Sequence, residues 1–169
     1  NAGVSWSDVT PADTDDWSDV VVSGDGSAVA AVMQGDGSVY VSENNGTDWT
    51  TSQFDENSWS GKNIAISDNG EKILVGGENS NNPYTHLYIS TNGGDTWSDI
   101  DPDVEDGIWD MSPEISADGG TIAVATTGYA DSENDSIFIS SNNGADWTDI
   151  TPEDPAINEL MMAEETGGE

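Results

Sequence analysis

The sequence predicts an all-β chain made of repeated units of four short antiparallel strands, and three observations predict it. A pattern S-x-N-x-G-x-x-W recurs at Val41–Thr50 (VSENNGTDWT), Ile89–Ser98 (ISTNGGDTWS) and Ile139–Thr148 (ISSNNGADWT). Its Trp residues, Trp49, Trp97 and Trp147, together with Trp6 of the opening NAGVSW, lie 43, 48 and 50 residues apart. Between them run short β-branched, alternating stretches punctuated by Gly, Asn and Ser, which argues strand rather than helix. Four antiparallel strands in a repeat of this length are the signature of a β-propeller blade.

Taken in order, each unit opens at a second Trp: Trp17, Trp59 or Trp109. An alternating stretch follows, as in Val20 and Val22 or Ile64 and Ile66, and it ends in the turns Ser23–Gly26, Ser67–Gly70 and Ser116–Gly120. Strand two is Ala28–Val32, Ile73–Val75 or Thr121–Ala125. Strand three is Val39–Val41, Leu87–Ile89 or Ile137–Ile139. Strand four follows the Trp of the motif, in W-S/T-D-I/V-x-P at Trp6–Pro11, Trp97–Pro102 and Trp147–Pro152. Strands are expected near residues 18–23, 28–33, 38–42, 49–53, 62–67, 72–76, 86–90, 97–100, 112–116, 121–126, 136–140 and 147–150, with almost no helix.

Composition bounds the partners. The chain has 169 residues, 34 acidic side chains, two lysines (Lys62 and Lys72), no Arg and no Cys, for a net charge of −32. That balance excludes a nucleic-acid footprint and disfavours anionic lipid. Self-repulsion opposes compaction, and salt relieves it, since the Debye length is about 3 Å at 1 M. The surface reads as adapted to concentrated salt, or as neutralised by Ca²⁺. The longest apolar run, Ala28–Met33, is far short of the roughly 18 residues that a membrane span needs, so no membrane insertion is expected. The hydrophobic fraction is 34%, low for a thick core, and the seven Trp are expected to supply large buried areas in few positions.

The repeat resembles the Asp-box, or bacterial neuraminidase repeat, S-x-D-x-G-x-x-W, with Asn44, Asn92 and Asn142 at the Asp position. Asn still bonds nearby backbone amides and tolerates a left-handed turn, so the hairpin should survive. Propellers of this kind occur in sialidases, sortilin-type receptors, xyloglucan-cleaving glucanases and photosystem assembly factors, so the motif is specific for fold and poor for function. The resemblance implies that the box joins strands three and four. Its residues are then structural: Ser42, Asn44, Gly46 and Trp49; Ser90, Asn92, Gly94 and Trp97; Ser140, Asn142, Gly144 and Trp147. The register implies the end of a preceding blade at 1–11, blades at 12–54, 55–102 and 103–152, and the start of a following blade at 153–169. There NELMMA (Asn158–Ala163) before Gly167–Gly168 resembles a strand one with its turn. Three blades do not close a ring of four to eight. Further blades are expected from the same chain or another copy, because both outer blades would otherwise bare Trp-lined packing faces.

The resemblance also places the four–one and two–three loops on the face where propellers bind ligands. Asp13, Asp15, Asp16, Asp101, Asp103 and Asp106 gather there and are candidate Ca²⁺ ligands, since Ca²⁺ takes 6–8 oxygens. The two–three loops of the second and third units read as long and carry Tyr84 and Tyr129; with Trp109 these are candidates for ligand contact. The lone His86 reads as a surface or edge-strand residue, with no second His or Cys for a zinc set or a triad. A sialidase reading fails because no Arg is available to grip a carboxylate, and photosystem assembly propellers rely on a basic patch. Two classes remain. One is a non-catalytic extracellular or cell-surface (secreted) propeller that binds a protein or carbohydrate on a cell or virus surface. The other is a polysaccharide-degrading glycoside hydrolase, which needs two carboxylates about 5–9.5 Å apart.

Overall fold

The computed structural model describes residues 5–11, 16–35, 37–53, 59–79, 82–102, 108–128 and 135–152. The expected strand at 158–163 lies outside them, as do Asp13, Asp15, Asp103, Asp106 and Tyr129. None of the described residues is helical, and no helix is long and apolar enough to cross a membrane.

Among the described residues, twelve strands form three sheets of four. The first holds β1 (Trp17–Val22), β2 (Val29–Met33), β3 (Val39–Ser42) and β4 (Thr50–Ser52). The second holds β5 (Trp59–Ile66), β6 (Ile73–Asn79), β7 (Asn82–Ser90) and β8 (Ser98–Asp99). The third holds β9 (Ile108–Ile115), β10 (Ile122–Gly128), β11 (Ser136–Ser140) and β12 (Thr148–Asp149). Each sheet is an antiparallel meander in chain order, the four-stranded propeller blade that the repeat predicts.

The strands outrun the expected bounds where polar residues hide the pattern. β5 starts at Trp59 rather than near 62 because a bulge between Gly61 and Asn63 breaks its alternation. β6 and β7 continue through Glu78 opposite Thr85 and, past another irregularity, Asn79 opposite Asn82. Tyr84 therefore lies within β7, and not in a long two–three loop.

The core sits in the seams between blades. Ala30, Val32, Val39 and Val41 of the first blade meet Ile64, Ile73 and Val75 of the second. On the second blade's other face, Ala65, Leu74, Leu87, Ile89 and Ile100 meet Met111, Ile122, Val124 and Phe138 of the third. Sandwiching explains the sequence of β6: Leu74 and Val75 point to opposite faces and both are 0% exposed, so the strand reads as a continuous apolar run instead of alternating. Burying each such aliphatic side chain is worth about 1.5–3 kcal/mol.

Strand one of each blade is linked to strand one of the next. Ser18 Oγ donates to Lys62 O at 2.9 Å, Ile64 N donates to Asp19 Oδ2 at 3.1 Å, and Asn63 Nδ2 donates to Met111 O at 2.9 Å. The outer strands β4, β8 and β12 are two or three residues long and polar, which suits an exposed edge.

Candidate functional site

The blade seams are stitched by the repeated motif. In all three copies the Ser hydroxyl, almost wholly buried, accepts the Gly amide: Gly46 N to Ser42 Oγ at 2.8 Å, Gly94 N to Ser90 Oγ at 2.8 Å, Gly144 N to Ser140 Oγ at 2.9 Å. The same hydroxyl donates to the Asn carbonyl at 2.9–3.1 Å. That oxygen also accepts a backbone amide four residues on, from Asp48, Thr96 and Asp146. The left-handed residues are the next two: Asn45, Gly93 or Asn143, then Gly46, Gly94 or Gly144. Asn and Gly are the residues that tolerate this conformation.

Each motif Trp reaches back one blade. Trp97 Nε1 donates to Ser52 Oγ at 3.1 Å and Trp147 Nε1 to Ile100 O at 2.9 Å. Trp49 Nε1 donates to Val9 O at 3.0 Å. Val9, Ser52 and Ile100 each stand three residues after a repeat Trp, so residues 6–10 stand to Trp49 as the strand-four segments of the first two blades stand to Trp97 and Trp147. No sheet partner for them lies among the described residues.

Two faces follow. The one–two turns meet each other, with Asp68 N donating to Ala117 O at 2.9 Å, and they meet the Asp-box turns, with Asn45 N donating to Ser27 O at 3.1 Å and Gly93 N to Glu71 O at 2.9 Å. Lys72 Nζ spans two blades, donating to Gly119 O at 2.6 Å and Asn143 Oδ1 at 2.7 Å. The opposite end of the blades carries the candidate ligand face. There Lys62 pairs with Glu78. Asp16 is exposed, and its carbonyl accepts the Gln34 amide at 2.8 Å. Tyr84 and Trp109 sit in β7 and β9.

At that end the structure brings together three groups that sequence reasoning kept apart. His86 on β7 lies with its Nδ1 2.6 Å from Asp101 Oδ2 and 3.8 Å from Asp99 Oδ2. Leu87 N donates to Asp101 Oδ1 at 2.5 Å, and Asp101 N donates to Asp99 Oδ1 at 3.1 Å. Burial pushes the Asp101 carboxyl above the usual range, against the Leu87 amide; Asp99 adds to the rise and His86 opposes it. Of the expected Ca²⁺ ligands, Asp101 belongs to this group and Asp16 does not. The signal was in the repeat: His86 stands where the other blades have Ser38 and Ser136, and Asp101 where they have Gln53 and Thr151.

The first blade's outer face carries an apolar groove of about 530 Å³, lined by Trp17, Val20, Val29, Ala31 and Trp49 and walled by residues 7–11. Trp17 packs edge-on against Tyr40, ring centroids 5.1 Å apart. Val20 is 64% exposed and Val22 60%, an unusual state for valines in a sheet.

Comparison with solved structures shows the same fold. YCF48 from Cyanidioschyzon merolae is 21% identical with a TM-score of 0.60, over 85% of this chain and 40% of that one. A GH74 xyloglucanase from Xanthomonas campestris is 14% identical with a TM-score of 0.58, over 79% of this chain and 21% of that one. A structure of YCF48 bound to D1 peptide is 17% identical with a TM-score of 0.55, over 86% and 47%. The chain thus spans less than half the length of these structures. No curated protein matches it significantly. The family model Sortilin-Vps10, described as "Sortilin, neurotensin receptor 3", matches residues 1–136. With the Asp-box hairpins, the four-stranded blades and that match together, the chain belongs to the Sortilin-Vps10 family of Asp-box propellers.

Proposed function

We propose that this chain acts as a non-catalytic extracellular or cell-surface β-propeller in binding or assembly, adapted to high salt or calcium. The observation that carries the reading is how its carboxylates are used. The groove on the first blade's outer face is apolar, and its two carboxylates, Asp8 and Asp19, are engaged in hydrogen bonds. Asp8 Oδ1 accepts the Thr10 amide at 2.9 Å and the Thr10 hydroxyl at 2.5 Å. Asp19 accepts the Val20 amide at 2.8 Å and the Ile64 amide at 3.1 Å. A glycosidase needs one carboxyl free to give a proton and another free to attack or activate water. Asp8 is held below the usual carboxylate range by the Thr10 hydroxyl and amide, and Asp19 has an amide on each of its oxygens, which does not suit the general acid of raised pKa that such an enzyme needs. The fold shared with YCF48 bound to D1 peptide supports a peptide or protein partner, and GH74 is the relative that would support hydrolysis.

The test pairs two measurements on the purified chain. Incubation with xyloglucan and other β-glucans in about 1 M NaCl should release no reducing ends, at a salt level where surface charge is screened to about 3 Å. Melting temperature should rise steadily as NaCl is added. Sugar release above background would move the protein to the hydrolase class, and a melt indifferent to salt would remove the salt-adaptation reading.

A further inference from the structure

We propose that His86, Asp99 and Asp101 form a binding site for a divalent transition-metal cation of the Zn²⁺ class. One ligand atom from each lies within 4.8 Å of the others. Zn²⁺ takes imidazole nitrogen at about 2.0–2.1 Å and carboxylate oxygen at about 2.0–2.2 Å, which puts tetrahedral ligands about 3.3 Å apart. The His86–Asp101 pair at 2.6 Å has to open and the His86–Asp99 pair at 3.8 Å has to close, each by well under an ångström. The cation replaces the proton that now joins Nδ1 and Oδ2, and a water completes the fourth position.

The ligands are held by backbone. Asp101 keeps Oδ1 on the Leu87 amide, leaving Oδ2 for the metal, and its own amide fixes Asp99 through Oδ1, leaving Oδ2 of that residue for the metal too. The His86 and Asp101 side chains are only 25% and 29% exposed. Such support from outside the ligand set is what orients metal ligands elsewhere.

The repeat supplies an internal control. In the third blade Thr151 Oγ1 accepts the Ile137 amide at 2.8 Å and donates to Asp149 Oδ1 at 2.5 Å. Ser136 stands where the second blade has His86. A neutral hydroxyl therefore meets the structural need of the position, closing strand four onto strand three. The second blade has exchanged that hydroxyl for a carboxylate and the serine for the chain's one imidazole. The paired exchange adds metal-ligating capacity that the fold does not require. An imidazole also sets the selectivity. Hard cations such as Ca²⁺ favour all-oxygen sites, whereas imidazole suits Zn²⁺, Cu²⁺ and Ni²⁺. The site thus differs in chemistry from any of the chain's many carboxylate pairs.

Because His86 is the only histidine, its ring Cε1–H resonance reports on this site alone. ZnCl₂ is titrated into the whole chain at neutral pH in about 1 M NaCl, where diffuse carboxylate association is screened. The resonance should shift and saturate at one equivalent of Zn²⁺, and a tenfold excess of CaCl₂ should not reverse it. The double variant His86→Ser with Asp101→Thr installs the third blade's own residues, and its fold is checked by its circular dichroism and melt. By calorimetry it should lose at least tenfold in Zn²⁺ affinity. An unmoved His86 resonance at millimolar Zn²⁺, reversal by Ca²⁺, or undiminished affinity in a folded double variant would each overturn the proposal.

Discussion

Replacing Asn44 by Asp restores the acid that the Asp-box usually carries, yet it should destabilise this protein. The side-chain carbonyl of Asn44 accepts the Asp48 amide at 2.8 Å, and its Nδ2 donates to Asp48 Oδ2 at 3.0 Å. Asp keeps the first bond and turns the second into two carboxylate oxygens face to face. Two unit charges about 3.5 Å apart repel by about 1 kcal/mol in water and more near a protein surface, and loss of the hydrogen bond to a charged group adds about 1.5–3 kcal/mol. The sum is about 2.5–4 kcal/mol, or about 5–16 °C in a domain of this size. Asn92→Asp is the control. Its Nδ2 faces Thr96 Oγ1 at 2.9 Å, and that hydroxyl rotates to donate to the new carboxylate, so the change should stay within about 0.5 kcal/mol. Both variants are melted in about 1 M NaCl, which screens distant charges but not a pair in contact. The sign with pH is fixed: repulsion raises the folded-state pKa of the introduced acid, so the penalty is full at neutral pH, shrinks as pH falls through that raised value and is gone below about 4. Equal melting temperatures for Asn44→Asp and Asn92→Asp at pH 7 would refute the reasoning.

Three further outcomes are expected. Ala at Gly61 would drive its Cβ into Val32 Cγ2 and stand 3.2 Å from Met33 O in the first seam, costing about 1–3 kcal/mol in a urea titration; no loss would show the seam to be looser than described. Ser90→Ala strips the buried Gly94 amide of its 2.8 Å acceptor and should cost about 1–3 kcal/mol by the same measurement, a cost that Ser90→Thr should not reproduce through this bond. Asp25 is held below the usual carboxylate range by the Ser27 amide and then by the Ser27 and Ser23 hydroxyls, and Asp118 by the Ser116 hydroxyl and then the Gly120 amide. Their stabilisation is present above pH about 4 and lost as pH falls through the lowered folded-state values, so melts in 1 M salt should hold level from pH 7 to 5 and drop below 4; a rise on acidification would contradict the assignment.

The strand count and the blade register were legible because the Trp spacing and the Asp-box turns are local signals. The strand lengths were less so. Lys62 beside the bulge at Gly61 and Asn63 interrupts alternation in β5, and Glu78, Asn79 and Asn82 give β6 and β7 polar ends with no apolar period to mark them as strand. Tyr84 consequently read as loop. The His86 group escaped because its partners Asp99 and Asp101 follow on the next strand and after it, across the Asp-box hairpin. Periodicity within a strand says nothing about such a pairing. Comparison of the copies does, since Ser38, His86 and Ser136 share one repeat position while only His86 has an acid opposite.

A chain with two basic side chains has to settle its acids by other means, and the structure shows which. Asp8 and Asp149 each bind the hydroxyl and the amide of the threonine two residues on, at 2.5–2.9 Å. Asp25 takes two serine hydroxyls and an amide at 2.7–2.9 Å. Asp118 takes a hydroxyl and an amide at 2.7–2.8 Å. All four carboxyls are lowered by these bonds, as hydrogen bonds to the charged form require. Local dipoles of Ser, Thr and the backbone thus do what Lys and Arg do in a neutral protein, and they do so without long, entropically costly side chains. Asn in place of the Asp-box acid belongs to the same solution. Asn44 and Asn142 each turn an amide group toward a neighbouring aspartate, Asp48 at 3.0 Å and Asp146 at 2.8 Å. At these two positions the departure from the family pattern is tied to the charge of this surface, because the second oxygen of an acid there would face another carboxylate with no donor between them.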